Sequence, residues 1–440
     1  ILGICYGFQR MTNDFAGKVT ALEKREFGRA RVQYAHESPL FSAVPEGFVS
    51  WMSHGDSIEK IGEGFELSAS SEHHIASAWN RETGLFGIQF HPEVSHCEYG
   101  PEILKNFAIG ICGAEAAWTM EAYLDQVSAE IRRRVKKERV LLLISGGVDS
   151  TVVGGLLLKA LPRDQVYLMY IDTGMMRKNE SVEVEQTLKS LGALNLSIIH
   201  AEDEFLGCLA GIDDPEEKRR IIGDLFITIQ TREVEKLDIG DAFLAQGTLY
   251  TDMIESGKGI GSKAKVIKSH HNVRSPLVEA KREAGRIIEP LDRLYKDEVR
   301  ELGRTLGIGK EIIGRHPFPG PGLAVRILGD ITEEKCRILR EADAIFIAEL
   351  KRRGLYDEIW QAFTVLLPVR SVGVTGDARE YGYVLALRAI ISRDGMTADV
   401  YPFESSDLLE ISSLITNSVR EIGRVVYDIS SKPPATIEWE

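Results

Sequence analysis

The chain has 440 residues, too many for one compact core, and at roughly 150 residues per domain it predicts about three domains. Hydrophobic residues make up 44% and charged residues 27%, which excludes a disordered or fibrous chain. The net charge of −13 argues against a broad basic surface for nucleic acid, while a local basic site for a small anion is still compatible with it.

Cysteine and glycine usage narrows the class further. The five cysteines show no CxxC or Cys/His zinc spacing, which argues against a disulfide scaffold or a zinc ribbon. The most weakly charged stretch, Val140–Leu158, carries Asp149 and four glycines, so we expect no membrane span and a cytoplasmic protein. The chain opens on an apolar stretch, Ile1–Cys5, that is typical of a buried strand. We therefore expect that upstream sequence is missing.

In the first 113 residues, Phe86–Phe90 is predicted as a strand that ends at His91-Pro92, because proline cannot continue a strand ladder. An amphipathic helix is predicted from Ala116 to Lys137. From residue 140 strands and helices alternate, which predicts a parallel sheet with helices on both faces and ligands at the strands' carboxyl ends. The predicted strands are Val140–Ile144, Val166–Ile171, Leu194–Ile199 and Ala242–Ala245, and the predicted helices are Thr151–Leu161, Asn179–Leu191, Pro215–Leu237 and one from Asp292 through Leu306.

A proline- and glycine-rich segment, His316–Gly322, can be neither helix nor central strand and predicts a domain boundary. The segment after it predicts an α+β module. We therefore predict three domains, 1–113, 114–315 and 316–440. The elements predicted in the last are helix Glu333–Arg353, strands near Ala362–Leu367 and Tyr383–Ser392, helix Ser406–Gly423 and strand Arg424–Asp428.

A glycine turn joins the strand at residues 140–144 to the next helix. Two glycines allow successive N–H groups to point into one concavity at a helix N-terminus, which favours a phosphate. Asp149 could hold Mg²⁺ that bridges phosphates. The loop lacks the lysine of a Walker A motif, so a cation must come from elsewhere. The candidate ATP residues are Ser145, Gly146, Gly147, Val148, Asp149 and Ser150.

These residues resemble the pyrophosphate loop of the N-type ATP pyrophosphatases, which cleave ATP between the α and β phosphates and adenylate a substrate oxygen. Ile171–Gly174 is similar to the family's adenosine-side turn, although many relatives carry asparagine where Thr173 stands. The resemblance implies an adenine-nucleotide alpha-hydrolase-like parallel α/β domain and adds Gly174 to the ATP residues.

A second candidate site starts at Gly3-Ile4-Cys5-Tyr6-Gly7, which has the G-x-C-x-G form of a nucleophile elbow. His91 could take the thiol proton, and Glu93 could hold its other ring nitrogen. The elbow together with Gly87–Glu93 resembles the class I glutamine amidotransferases, in which the cysteine forms a glutamyl thioester and releases ammonia. That resemblance implies a truncated class I amidotransferase-type α/β domain, catalytic Cys5, His91 and Glu93, and glutamine-binding residues Gln9, Ser53, His54, Gly55 and Asp56.

The order of the two sites and the α+β tail resembles the glutamine-hydrolysing GMP synthetases over the whole chain. Shared stretches include Ala245–Thr248, Ile267–Asn272, Arg315–Leu323 and Lys432–Glu440. The resemblance implies ATP-dependent amination of xanthosine 5′-monophosphate (XMP) to GMP through adenyl-XMP, with Mg²⁺, ATP, XMP and L-glutamine or ammonia. It also implies a homodimer formed by a C-terminal α+β dimerisation domain.

The same resemblance assigns further residues. Lys268 could supply the cation missing from the phosphate loop, and His270 or His271 could move a proton or bind phosphate. Asp252 and Glu255 match residues tied to ATP handling and ammonia coupling. The residues that match the family's XMP pocket are Gln361, Lys432, Ile437 and Glu438, with Arg219 as a further candidate for the XMP phosphate.

Three other functions fit the sequence less well. A PP-loop tRNA-modifying enzyme would favour a basic surface and paired cysteines, which the chain lacks. NAD synthetase is a closer chemical relative, but His91-Pro92-Glu93 and the C-terminal tail do not fit it. A non-catalytic nucleotide sensor would not need Cys5 and His91 beside an intact phosphate loop.

Overall fold

A computed structural model of the chain describes residues 1–34, 38–72, 74–94, 96–255, 276–375, 378–392 and 397–440. The chain divides into two compact units, Ile1–Trp118 and Thr119–Glu440. Residues on both sides of the predicted boundary at 315/316 share one buried core in the second unit, and the three-domain division stays a prediction. Each helix within the described ranges is too short or too polar to cross a bilayer.

Unit 1 is built on a six-stranded sheet with one parallel pair. Strands β1 (Leu2–Ile4) and β6 (Leu85–Ile88) run parallel, and the other pairs are antiparallel. The sheet continues from β6 through β5 (Ile75–Asn80), β4 (Glu66–Ser70) and β2 (Lys18–Tyr34) to β3 (Phe48–Lys60). The helices are α1 (Tyr6–Asp14) and α2 (Gly100–Lys105), which continues into a π-helical turn at Asn106–Ile111.

The first part of unit 2 contains the parallel sheet that the alternation predicts. Its strand order places β7 (Val140–Ile144) at the centre, between β10 (Phe243–Ala245) and β8 (Val166–Asp172). The outer strands are β11 (Ile287–Ile288) beside β10, and β9 (Asn195–His200) beside β8. The helices are α3 (Met120–Val135), α4 (Val148–Ala160), α5 (Glu180–Ser190), α6 (Glu202–Leu209), α7 (Pro215–Lys236), α8 (Tyr250–Glu255), α9 (Pro276–Glu283), α10 (Lys296–Thr305) and α11 (Lys310–Ile313).

Two apolar cores cover this sheet. One buries α4 side chains such as Val152 and Leu156, together with Leu302 of α10. The other joins Ile229 of α7 to the C-terminal part of the chain, for example through Phe346. The phosphate loop and the C-terminal elements therefore belong to one packed body.

The C-terminal part of unit 2 is a mixed sheet covered by two helices. Its elements are α12 (Glu333–Arg352), β12 (Gln361–Thr375), β13 (Ala378–Ile391), β14 (Asp399–Val400), α13 (Ser405–Ser418) and β15 (Ile422–Tyr427). Strand β13 pairs antiparallel with β12 and β14 and parallel with β15.

Two predictions for this part were wrong in extent. The helix predicted through Gly423 ends at Ser418, because Val419 is extended and Ile422 already begins β15. The β12–β13 hairpin runs well beyond the predicted strands. Pro368 argues against a continuous strand, because proline cannot donate to a ladder. It lies in a register shift between Leu366 and Arg370, where the regular ladder is already interrupted.

Candidate functional sites

Cys5 occupies a strained turn between β1 and α1. Its φ is 50°, a left-handed conformation that is costly for a residue with a side chain and is common at functional sites. The turn is held because the Cys5 N–H donates to Ile88 O at 2.8 Å. A Cβ added to Gly3 would lie 2.8 Å from the Gly7 carbonyl carbon, so glycine at position 3 lets β1 touch α1.

The Cys5 thiol is half-buried and has two polar neighbours. Its Sγ is 3.9 Å from the Ser53 carbonyl oxygen, to which it donates, and it accepts a hydrogen bond from Gln89 Nε2 at 3.5 Å. Burial raises the pKa of the thiol, and the Glu93 charge also raises it, whereas hydrogen bonds from the Tyr6 N–H and Gln89 lower it. The net pKa is raised, so the resting side chain is a thiol that needs a base.

His91 is held by the carboxylate that the sequence predicted. His91 Nδ1 lies 2.6 Å from Glu93 Oε1, and the His91 N–H donates to the Trp51 carbonyl. A proton on Nδ1 leaves Nε2 as the basic nitrogen. Cys5 and His91 both lie in described ranges and share no hydrogen bond there, so transfer of the thiol proton requires the two side chains to approach.

The predicted glutamine-binding residues lie around the thiol. Gln9 Nε2 donates to the Asp56 carbonyl at 2.8 Å and to Gln89 Oε1 at 3.3 Å. The same Asp56 carbonyl is 2.9 Å from His54 Nδ1. Gly55 lies between His54 and Asp56 in β3, two residues after Ser53, whose carbonyl accepts the thiol hydrogen bond. The structure therefore brings this set together beside Cys5.

Two residues of this site were not identified from the sequence. Gln89 is fully buried and links Gln9 to Cys5, and its only sequence signal was a polar residue in an apolar strand end. Glu26 lies on β2, with Oε2 3.1 Å from His54 Nε2. Burial raises the pKa of Glu26, but the His54 hydrogen bond and the His74 charge outweigh it and lower the pKa below its usual value.

In unit 2, the predicted phosphate loop links β7 to α4. Gly146 has φ of 77°, and Ser150 Oγ accepts the Ser145 N–H at 3.1 Å. Helix α4 begins at Val148 after Gly147, which offers no side-chain cap. The first N–H groups of the helix therefore face the loop without a capping side chain, as an anion site requires.

Asp149, the predicted metal ligand, carries a cation partner that the sequence reasoning missed. Lys296 is the first residue of α10, and its Nζ lies 2.6 Å from each Asp149 carboxylate oxygen. Across 147 residues of sequence, no local pattern could have joined the two. This lysine places positive charge at the phosphate loop.

Some of the other predicted ATP residues lie within the described part of the chain and some lie outside it. Gly174 has φ of 73° and donates its N–H to Asp172 Oδ1 at 2.9 Å, at the carboxyl end of β8. Asp252 Oδ2 accepts the Leu249 N–H at 2.9 Å at the start of α8. Glu255 ends α8, and its side chain lies outside the described part. Lys268, His270 and His271 lie outside the described residues.

The C-terminal tail is held by buried cations. Arg326 is 1% exposed and donates to both oxygens of Glu438, at 3.0 and 2.8 Å. Gln361 Nε2 donates to Glu438 Oε1 at 2.8 Å. The purine contact predicted for Glu438 would therefore have to share or replace these bonds. Arg326 was missed because its partner is 112 positions away.

Of the remaining predicted XMP residues, Lys432 and Ile437 lie in the tail with Glu438, and Arg219 lies on α7. Ile437 packs on the small core that contains Phe363. Lys432 pairs through its backbone with Ala398. Arg219, on α7, forms an ion pair with Glu216, and no bond within the described ranges links it to Glu438.

Known family models match the N-terminal and the C-terminal part of the chain. Residues 1–111 match the family model "Glutamine amidotransferase class-I", and residues 348–439 match "GMP synthase C terminal domain". The chain is 50% identical over 442 residues to the GMP synthase [glutamine-hydrolyzing] of Bdellovibrio bacteriovorus and 50% over 441 residues to that of Aquifex aeolicus. Each alignment covers 100% of this chain and 85% of the relative. The similarly named relative from Bacillus velezensis is 48% identical, with 84% of its length covered.

Proposed function

The chain belongs to the glutamine-hydrolysing GMP synthase family, and we propose that it aminates XMP to GMP with ammonia taken from glutamine. ATP would activate XMP, and AMP, pyrophosphate and glutamate would leave as the other products. One observation carries the proposal: a single chain holds both a strand–phosphate-loop–helix joint and a strained cysteine elbow with a His–Glu pair.

Unit 1 performs the glutamine half. Cys5 Sγ attacks the side-chain carbonyl carbon of glutamine while His91 Nε2 accepts the thiol proton, because Glu93 keeps the other ring nitrogen protonated. The same proton passes to the departing ammonia, and water then hydrolyses the thioester to glutamate. Gln9, Ser53, His54, Gly55 and Asp56 hold the substrate glutamine around the thiol.

Unit 2 performs the synthetase half. The C2 oxygen of XMP attacks the α-phosphorus of ATP, the bond to pyrophosphate breaks, and the loop N–H groups at the start of α4 hold the leaving pyrophosphate. Ammonia then attacks C2, AMP leaves, and the added nitrogen loses a proton. In this proposal Gly174 serves the adenosine side, and the residues with a role in ATP binding are Asp252, Glu255, Lys268, His270 and His271.

Mg²⁺ fits the residues at the phosphate loop. Asp149 already binds a positive charge, because both of its oxygens lie against Lys296 Nζ. When bound, Mg²⁺ neutralises phosphate charge. Asp149 would hold it, and Lys296, which contacts Asp149, would add positive charge for the phosphates.

The XMP pocket forms at the tail, from Gln361, Lys432, Ile437 and Glu438, with Arg219 for the phosphate. Apolar side chains that are exposed on the hairpin and α13, such as Val374, Tyr381 and Leu409, support a homodimer through this part. We place the enzyme in the cytoplasm, where its substrates are soluble nucleotides.

Product analysis tests the proposal. The protein is incubated with ATP, Mg²⁺ and XMP, with either ammonium or glutamine, and GMP and AMP are quantified by chromatography. Ammonium should give GMP and AMP in equal amounts, and a folded protein that makes no GMP would contradict the assignment. Cys5→Ala should lose glutamine-dependent synthesis and retain ammonia-dependent synthesis, whereas Cys112→Ala, at an exposed cysteine of the same unit, should retain both.

A further inference from the structure

The segment from Arg315 to Phe318 lies between the phosphate loop and the C-terminal tail, and the proposed mechanism gives Arg315 no role. Its side chain is 10% exposed. Nη1 donates to the Gly146 carbonyl at 3.3 Å and lies 3.5 Å from Glu180 Oε1, and Nη2 pairs with Glu183. Arg315 is thus bonded to the phosphate loop itself.

The bond to Gly146 fixes a donor of the loop. In a planar trans peptide the C=O and the following N–H point in opposite directions. With the Gly146 carbonyl directed at Arg315, the Gly147 N–H must point away from Arg315, toward the Ser145 hydroxyl on the inside of the loop. In the structure that N–H donates to Ser145 Oγ at 3.4 Å, and it belongs to the loop N–H groups that we propose for the phosphate.

The charges around Arg315 indicate a supporting role and not direct phosphate binding. Its guanidinium faces two carboxylates, Glu180 and Glu183, and Glu180 is almost fully buried. A Cβ on Gly146 would lie 3.1 Å from Glu180 Oε1, so this buried pair lies directly under the loop. An arginine balanced in this way has little charge to offer an anion.

The backbone that follows Arg315 is linked to the tail through the Gln361 side chain. Arg177 Nη2 donates to the carbonyls of His316 and Pro317, at 2.8 and 3.2 Å. Gln361 Nε2 donates to the same Pro317 carbonyl at 3.2 Å and to Glu438 Oε1. One short segment therefore contacts the phosphate loop through its first side chain and the proposed XMP pocket through its carbonyls.

We propose that Arg315 is a positioning residue that fixes the phosphate-loop backbone for ATP and ties its order to the tail pocket through residues 315–317. This inference rests on the proposed function for the identity of the two substrates. Loss of the arginine should weaken ATP binding more than XMP binding. The Arg315 side chain contacts the phosphate loop, whereas the contact toward the tail pocket is made by the Pro317 carbonyl.

The test uses the full chain with Arg315→Gln and Arg315→Lys. Ammonia-dependent GMP formation gives kcat and the KM for each substrate, and calorimetry gives the Kd for Mg-ATP without XMP. Arg315→Gln should raise both the KM and the Kd for ATP by about tenfold or more. Arg315→Lys keeps the charge beside Glu183 but not the forked donors, so it should fold like wild type and still raise the ATP KM several-fold.

Arg352→Gln is the matched control, because Arg352 is exposed and its ion pair among the described residues is with Glu349 on its own helix. It should leave all constants within twofold of wild type. ATP constants that stay within twofold of wild type in Arg315→Lys, or in folded Arg315→Gln, would overturn the proposal. If wild type makes no GMP, the proposed function fails, and the Mg-ATP calorimetry still decides the role of Arg315.

Discussion

Gln89 donates a hydrogen bond to the Cys5 thiol, with 3.5 Å between Nε2 and Sγ. The amide cannot turn freely, because its oxygen accepts a hydrogen bond from Gln9 at 3.3 Å in a fully buried position. Gln89 is therefore oriented with its N–H toward sulfur, where it favours the thiolate over the thiol.

Gln89→Leu should raise the thiol pKa further, since it removes a hydrogen bond that lowers this pKa and leaves the burial that raises it. Less thiolate would exist at neutral pH. Alkylation of Cys5 by iodoacetamide should then shift its pH midpoint upward, and glutamine-dependent GMP synthesis should fall about tenfold or more.

Ammonia-dependent synthesis should not change in Gln89→Leu. Thr12→Val is the control for a lost buried polar group in the same unit, because the Thr12 hydroxyl donates to the Phe8 carbonyl within its own helix. An unchanged alkylation midpoint in Gln89→Leu would show that the amide does not tune the thiol.

The two glycines of the elbow should not be equivalent. A Cβ at Gly3 would lie 2.8 Å from the Gly7 backbone and 2.9 Å from Met11 Sδ, whereas a Cβ at Gly7 would meet no atom within 4 Å. Gly3→Ala should therefore push α1 away from β1 and abolish glutaminase activity, while Gly7→Ala should retain it. Glutamate release measured for both variants tests this, and equal losses would contradict it.

Sequence reasoning located candidate residues where the members of a site are close together in the chain. The Cys5 elbow, the His91–Glu93 pair and the loop at residues 145–150 are each short segments whose residue types determine their geometry. Gln89, Lys296 and Arg326 were missed because their partners lie 84, 147 and 112 positions away, and no periodicity connects them. The hairpin extension was missed because backbone pairing, not apolar alternation, holds its outer part.

Removing Glu438 from the Arg326–Glu438 ion pair should lower the stability of unit 2, because Arg326 is buried. Arg326 lies over the Phe363 ring at 4.1 Å and has no access to water. Glu438→Gln should destabilise unit 2 by about 3 kcal/mol, because it removes the carboxylate that accepts two hydrogen bonds from a buried guanidinium. Urea titration followed by circular dichroism measures this loss.

Two comparisons sharpen that measurement. The double variant Arg326→Met with Glu438→Gln should be less destabilised than Glu438→Gln alone, since the guanidinium that lost its bidentate partner is also removed. Asp357→Asn, which removes an exposed partner of Lys310, should cost less than about 1 kcal/mol. A Glu438→Gln protein as stable as Asp357→Asn would refute the prediction.

His316 is held in its neutral form by two opposite hydrogen bonds. Its Nε2 lies 2.9 Å from the Tyr356 carbonyl, which requires a proton on Nε2, and the Ala362 N–H donates to Nδ1 at 3.1 Å, which requires a lone pair there. The ring also stacks on Tyr356, with centroids 3.8 Å apart. A second ring proton, on Nδ1, would face the Ala362 N–H, so that two donors would oppose each other.

Burial is the main reason that the pKa of His316 falls to about 4, with nearby positive charges such as Arg177 contributing. The pKa of an unperturbed histidine is about 6.5. The folded pKa is therefore lowered, so the stability that the neutral ring provides is complete above the unfolded pKa and is lost as the pH falls toward 4. The loss over this window is at most about 3 kcal/mol.

His316→Phe removes the titration while keeping an aromatic ring against Tyr356. The variant should be less stable than wild type at pH 7, because the Ala362 N–H loses its acceptor, but its stability should fall less between pH 6.5 and 4. Urea midpoints across this range measure the difference in slope. His200→Gln, at an exposed histidine of the same unit, should keep the wild-type slope in acid, and the same slope in His316→Phe would show that His316 does not titrate in this window.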